Sequence, residues 1–579
     1  MTGSNAGDLA MDPDDARPDA TGPDILDPIT VRLTQSGPDR GADRAGSRER
    51  IAAIGDRLMS PMPADRLWGW IGPLVVTAFA AILRFSRLSV PHAVNYDETD
   101  YIKDAWSILQ HGVEWNPIAN PAGYPPGQSY ADNLLLSGGT HIFAPCSGYS
   151  CGEAVTHPEV GKYLIAIGEW VFGLNPFGYR VASAVFGSLA ILLMCRIARR
   201  LTRSTLLGCI AGLLLSLDGL EFVLSRTGIL DIFLMFFVLA AFGAMLIDRD
   251  VSRSRLAEAV VLRPGDEAGP GLGIRRWRVL VGLLIGLACA VKQDASWYIP
   301  AFIGLSVAWD INARRAAGLR ASWRGGIVRD GKWLPLTLVV VPFVTYVVTW
   351  INWMVTQTGY YRDYARTHGV RTPVIEALYS LFKYHQSTFA FDIHLRAQHP
   401  YMSQPWDWIV LSRPVSFYYA GYTNAAGTHP CPPTGCPPGP SWSQEVLPLG
   451  NPAIWWVSIP AVLFCLGWWL THRDWRAGAS LLGIIAGWLP WFLFFKRTPQ
   501  FDYYSLDFLP FLVLCITLCL GLIIGPTRAS PRRRATGAAI AGAYVLAVLA
   551  LFWYFYPILA GQIIPHSSWL ARMWYRGWI

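Results

Sequence analysis

From residue 67 onward, stretches of predominantly apolar residues recur along the chain, most of them near the roughly 20 residues that cross a hydrocarbon core of about 30 Å. They fall at 67–83, 179–195, 205–224, 229–247, 279–291, 297–309, 334–350, 453–470, 480–495, 506–524 and 538–556, which makes about eleven predicted spans. None shows the period-two alternation of a barrel strand. A backbone in lipid must satisfy its own hydrogen bonds, so these segments read as helices and the chain as an all-α polytopic membrane protein.

Composition supports the same class. Of the 579 residues, 52% are hydrophobic and 15% charged, too much apolar surface for ordinary soluble domains to bury. The formal net charge of +8 does not point to nucleic acid, because the basic residues sit in short runs between apolar spans. Residues 1–65 are of another kind, rich in Pro, Asp, Gly and Arg without an apolar h-region, and are expected to form a disordered cytoplasmic tail.

Arginine clusters occupy alternate connections: Arg196, Arg199, Arg200 and Arg203; 249–278; 314–332; Arg473 and Arg476; 528–534. The positive-inside rule makes those loops and the N-terminus cytoplasmic, and turns the long segments 89–178 and 352–451 and the C-terminus outward. Arg84 and Arg87, at the outer end of the first span, run against this scheme. The expected division is a tail at 1–65, an N-terminal membrane module at 66–350 that includes the loop 89–178, an extracytoplasmic segment at 351–452, and a C-terminal membrane module at 453–579. No internal repeat is visible.

Cysteine usage agrees. Cys146, Cys151, Cys431 and Cys436 all fall in the two outward segments, where disulfides persist. Each pair has C-x4-C spacing, and local bridges Cys146–Cys151 and Cys431–Cys436 are one of three connectivities. A zinc site is the rival reading, weakened by the spacing and the lack of neighbouring His.

Just past the first span come Asn95, Tyr96, Asp97, Glu98, Thr99, Asp100 and Tyr101. Adjacent carboxylates at a membrane surface stay hydrated in a loop, or face a cation, a donor or a proton to be moved. The residues that follow favour function. An acidic pair after the first span, then His157-Pro158-Glu159-Val160-Gly161-Lys162, Tyr179-Arg180, Leu217-Asp218-Gly219 through Ser225-Arg226 to Asp231, His399-Pro400-Tyr401 with Ser403 and Pro405-Trp406, Arg413-Pro414, and Gly450-Asn451-Pro452 resemble the motif blocks of the protein O-mannosyltransferases, in order. Glu159 departs from the family's second Pro, and Lys292-Gln293-Asp294-Ala295-Ser296 departs from its Lys-Trp-Ser-Gly, which puts the role of that loop in doubt. The Arg497 to Tyr504 loop resembles bacterial members, and 351–452 leaves no room for the β-trefoil insertion of eukaryotic ones.

The resemblance implies a GT-C-type fold in the bacterial plasma membrane. The activity it implies is inverting transfer of mannose from polyprenyl phosphate mannose to Ser/Thr hydroxyls of secreted proteins, met during translocation, at the outer face. It implies no metal and no resident cofactor. Asp97 is expected to be the base that takes the acceptor proton, and Glu98 to orient acceptor or base or to bind the sugar. A leaving phosphate needs positive charge, for which Arg180 is the first expectation, with Arg226, Lys162 and Arg497 behind it. Arg180 could instead snorkel to headgroups, and Arg226 could pair with Asp231 or Glu221. His157, His399, Tyr401 and Trp406 are further motif residues. Two rivals stand beside this reading: a GT-C enzyme acting on an envelope glycan or lipid, and a transporter of lipid-linked sugars.

Overall fold

Apolar segments with no water to bond to must close their own backbone hydrogen bonds, and those predicted here do so as helices. The computed structural model of the protein describes residues 40–146, 151–423 and 441–579, with side chains from residue 46. The chain divides into two compact units, Met1–Arg50 and Ile51–Ile579. Helix α1 (Arg40–Leu58) opens in the first unit and ends in the second.

The second unit continues with α2 (Trp68–Phe85), α3 (Glu98–His111), α4 (Tyr130–Leu136), α5 (Val160–Phe172), α6 (Pro176–Thr202), α7 (Thr205–Ser216), α8 (Gly219–Leu224), α9 (Asp231–Leu262), α10 (Arg276–Cys289) and α11 (Tyr298–Ala316). Shorter pieces follow: α12 (Ser322–Arg324), α13 (Val341–Thr349), α14 (Ile351–Val355) and α15 (Tyr364–Thr367). Then come α16 (Pro373–His394), α17 (Pro405–Trp408), α18 (Pro452–His472), α19 (Trp475–Leu493), α20 (Leu509–Ile524), α21 (Pro531–Leu559) and α22 (His566–Leu570).

Among the described residues, six helices are long and apolar enough to cross a membrane: α2, α6, α9, α18, α19 and α21. A seventh crossing exists if the pair Ser322–Trp333 and Leu336–Thr349, bent by 42°, counts as one. α7 and α20 are apolar but shorter. Helix occupies the remaining predicted segments too, yet not always unbroken. The segment 205–224 stops at Ser216 because Asp218 caps a new helix, its Oδ1 accepting from the Leu220 and Glu221 amides at 3.0 and 3.2 Å.

α9 is the hub. It is buried over most of its apolar length and packs against α6, α10 and α11. α2 and α18 lie at the edge and expose Leu74, Val75, Leu463 and Leu470, the surface a lipid-solvated helix presents.

Two expectations need correction. Residues 40–58 of the tail are helical rather than disordered: the run is rich in Ala and Arg, and Ile54 and Leu58 pack against Leu256, Ala257, Leu272 and Ala313. The rest of the expected tail up to residue 39 lies outside the described residues. The fold is also not purely α. β1 (Tyr418–Thr423), β2 (Ser441–Val446) and β3 (Ile563–Pro565) form an antiparallel sheet in that order, pairing Tyr418 with Val446 and Trp442 with Pro565. Tyr, Thr, Trp and Ile supply the β-propensity.

The segments predicted to face outward gather at one end. Val113 of the first packs with Trp353, Leu381 and Tyr384 of the second, and the Tyr384 hydroxyl donates to the Val155 carbonyl at 2.6 Å. Cys146 and Cys151 are disulfide-bonded there; Cys431 and Cys436 lie outside the described residues. The arginine-rich connections meet at the opposite end, where Arg199 pairs with Asp65 and both Arg200 and Arg203 with Asp250.

Candidate active site

The two neighbouring carboxylates after α2 have different surroundings. Glu98 opens α3 and is fully buried. Its oxygens accept from Arg180 Nε and Nη2, the Gly228 amide and the Asn95 amide, all at 2.8 Å. Arg180 spends its other donors on the carbonyls of Leu88, Pro91 and Ala93 at 3.3, 3.0 and 2.8 Å. Five N–H groups thus meet five acceptors, and none is left for a phosphate. The expected phosphate role of Arg180 is corrected: it pins the 88–98 loop to α6. Glu98, with its lone pairs engaged, is an anchor and not a group open to acceptor or sugar.

Asp97 is half-buried, and among the described residues its carboxylate accepts one hydrogen bond, from the Tyr503 hydroxyl to Oδ2 at 2.9 Å. The residue before it, Tyr96, holds φ at +47°, a left-handed conformation uncommon for a side chain of this size. Anchored by Glu98 on one side and turned by Tyr96 on the other, the Asp97 carboxylate faces the Tyr503 loop. Desolvation raises its pKa to about 7, although the Lys292 cation and the Tyr503 hydrogen bond oppose the shift.

Around Asp97 lies an aromatic wall. Tyr96 stacks on Phe417 with centroids 5.2 Å apart and meets His399, Phe501 and Tyr503 edge-on at 6.0, 5.8 and 6.0 Å. His399 thus joins the site through Tyr96, its ring nitrogen accepting from the Tyr401 amide at 3.2 Å. Trp406 is largely exposed, 6.3 Å from Phe492.

Behind Tyr503 sits a cation absent from the expected set. Lys292, in the connection between α10 and α11, is buried and donates to both oxygens of Asp231 at 2.9 Å. Its Nζ lies 5.8 Å from the Tyr503 ring centre and 5.2 Å from that of Tyr504. A cavity of about 300 Å³ opens here, lined by Lys292, Arg497, His157, Asp294, Asp392 and Tyr504 among others. Burial, and then the charges of Lys292, Lys162 and Arg497, hold His157 well below the usual imidazole range, so it is neutral.

Of the four expected phosphate cations, Arg497 alone lines this cavity. It donates to the Pro499 carbonyl at 3.0 Å and makes a long 3.4 Å contact with Asp392. Lys162 is fully buried and paired with Asp104 at 3.2 Å and Glu114 at 2.6 Å. Arg226 pairs with neither Asp231 nor Glu221. It caps α2 instead, donating to the carbonyls of Leu83, Arg84, Ser86 and Arg87 at 2.9, 2.7, 2.6 and 3.1 Å. Glu221 pairs with Arg84. Among the described residues, no three His, Cys, Asp or Glu groups are placed to hold a metal ion.

The comparisons with known proteins agree with this architecture. The family profile described as dolichyl-phosphate-mannose-protein mannosyltransferase matches residues 154–360, and that for the C-terminal four-span region of protein O-mannosyltransferase matches 377–578. A polyprenol-phosphate-mannose–protein mannosyltransferase of Mycolicibacterium smegmatis is 36% identical over 529 residues, 89% of this chain and 94% of the relative. Its namesake in Corynebacterium glutamicum is 31% identical over 87% of this chain and 92% of its own. Among solved structures, the Saccharomyces cerevisiae protein O-mannosyltransferase complex bound to the sugar donor shares the fold, with a TM-score of 0.66 at 14% identity, covering 92% of this chain and 94% of that one.

Proposed function

Because the chain belongs to the protein O-mannosyltransferase family, we propose that it transfers mannose from polyprenyl phosphate mannose to Ser/Thr hydroxyls of exported proteins at the outer face of the bacterial plasma membrane. The N-terminus then lies in the cytoplasm, and the end that carries Asp97, the Cys146–Cys151 bridge and the C-terminus lies outside. The observation that carries the mechanism is the half-buried Asp97 carboxylate with its single partner, beside a cavity lined by Lys292 and Arg497.

A Ser or Thr hydroxyl is a poor nucleophile at neutral pH. Asp97 takes its proton as the oxygen attacks the anomeric carbon; the bond from that carbon to the phosphate oxygen breaks, the configuration inverts, and polyprenyl phosphate leaves. With a base near pKa 7, proton transfer is driven while about half of the carboxylate is still ionised at neutral pH. Tyr503 aims the carboxylate. The charge that develops on the departing phosphate is met by Arg497 and by the Lys292 ammonium, which holds Asp231 with one side and faces the cavity lined by Tyr504 with the other.

The lipid chain of the donor has a path. A second cavity of about 790 Å³ lies between α11, α18 and α19, walled by Trp469, Trp475, Trp488, Leu489 and Phe492. α19 borders both cavities, since Gly487 and Pro490 line the first. The reading needs no resident cofactor, so transfer is expected to persist in EDTA.

The test is transfer of radiolabelled mannose from polyprenyl phosphate mannose to a Ser/Thr-rich peptide in membranes carrying wild type or Asp97→Asn. Label in the peptide with wild type and its loss with the variant supports the reading. Label entering an envelope glycan while the peptide stays unlabelled would move the acceptor to the glycan class.

A further inference from the structure

Three of the arginine clusters that mark topology in the sequence converge on one cavity, far from Asp97. α6 carries Arg180 near its start and Arg203 just past its end, roughly 35 Å away at about 1.5 Å per residue. At that far end a cavity of about 610 Å³ is lined by Arg203 just past α6, Arg476 in the first turn of α19 and Arg534 in the first turn of α21, three segments widely separated in the chain. Its other wall is apolar, made by Phe464, Leu518 and Leu522 among others.

The charge is out of balance. Asp474 is the acidic side chain among the lining residues, and Arg476 takes it at 2.5 Å. Arg203 shares Asp250 with Arg200 and Arg249. The Arg534 side chain has neither a hydrogen bond nor an ion pair among the described residues. A cavity with an uncompensated guanidinium at its mouth and an apolar floor has the two-part chemistry of a lipid: phosphate at one end, acyl chain at the other. The floor residues Phe464 and Leu522 are 47% and 40% exposed, open to chains arriving from the bilayer.

We propose that this cavity is a binding site for an anionic glycerophospholipid of the leaflet opposite the catalytic end, its headgroup phosphate held by Arg534 with Arg476 and Arg203. The mannosyl transfer reading enters only in naming that leaflet cytoplasmic; the site stands on the cavity itself. It would tie α7, the α18–α19 turn and the start of α21 together through a bound lipid.

Native mass spectrometry of the full-length protein in detergent, titrated with phosphatidylglycerol or phosphatidylcholine, tests it. Wild type is expected to retain phosphatidylglycerol at least about tenfold more tightly than phosphatidylcholine, since the arginines attract the net negative headgroup and phosphatidylcholine cancels its phosphate charge with its own quaternary ammonium. Arg476→Gln with Arg534→Gln should abolish that preference. Leu522→Trp, which fills the apolar floor and leaves every arginine in place, should weaken retention as well, and wild-type melting temperatures in detergent report that both variants are folded. Equal retention of the two lipids by wild type overturns the proposal, as does a preference unchanged in the double variant. Displacement by millimolar inorganic phosphate as readily as by lipid would overturn the lipid assignment, and tighter retention of polyprenyl phosphate would overturn the glycerophospholipid.

Discussion

Glu98 and Arg180 meet fork to fork in a site closed to solvent, with Nε and Nη2 each 2.8 Å from a carboxylate oxygen. The remaining Arg180 donors go to loop carbonyls, and the remaining Glu98 lone pairs to two amides, so the pair is a clamp that sets where Asp97 points. Removing one member leaves a buried charge without its counterpart. Glu98→Ala and Arg180→Ala should each destabilise the fold by about 3–5 kcal/mol, seen as a lower unfolding temperature in detergent. A variant at either position with wild-type melting and a selective loss of donor affinity would return Arg180 to the phosphate.

Asp97→Asn keeps the shape of the side chain and removes its basicity. The expected result is a fall in kcat of about 10²- to 10⁴-fold with the donor KM and the melting temperature little changed. Because Glu98 and not Asp97 anchors the loop, stability and rate should separate cleanly between the two neighbours. A fall in melting temperature in Asp97→Asn like that of Glu98→Ala would contradict this division.

The base acts only when ionised, so the rate rises with pH through its pKa and falls below it. With Asp97 raised to about 7, the acid limb of the kcat/KM profile belongs near pH 7, well above an ordinary carboxylate. Tyr503→Phe removes a hydrogen bond that favours the charged form, and the limb should move to higher pH. A limb near pH 4, or one that Tyr503→Phe leaves in place, would mean that another group takes the proton.

Much of this site was legible in the sequence, and what was missed has physical reasons. The acidic pair and the motif blocks directed attention to Asp97, which lies against Tyr503, and the arginine clusters fall at the opposite end. Burial was not legible: nothing in the order of residues says that Arg180 would be consumed by Glu98, or Lys162 by Asp104 and Glu114, because those partners lie many residues away. Lys292 had a signal, a lone lysine in a short connection between apolar segments, where a charge needs a partner. Asp231 at the start of α9 is that partner. The three-stranded sheet was missed because β3 is three residues near the C-terminus, paired with a strand more than a hundred residues earlier.

Arg497 is the expected phosphate cation that lines the cavity beside Lys292 and Tyr504, and its 3.4 Å contact with Asp392 is long enough to yield to a stronger acceptor. A hydrogen bond to a charged phosphate contributes about 1.5–3 kcal/mol, so Arg497→Ala should lower kcat/KM for the lipid donor by about 10- to 100-fold. Arg497→Lys keeps the charge but not the planar fork and should recover part of the loss. Arg226→Ala is the contrast: it uncaps α2 and should lower the melting temperature while donor KM in the folded fraction stays near wild type. Steady-state kinetics with varied donor, beside melting curves, distinguish the two. Should Arg497→Ala match wild type in kcat/KM, the leaving phosphate must be met by Lys292 alone.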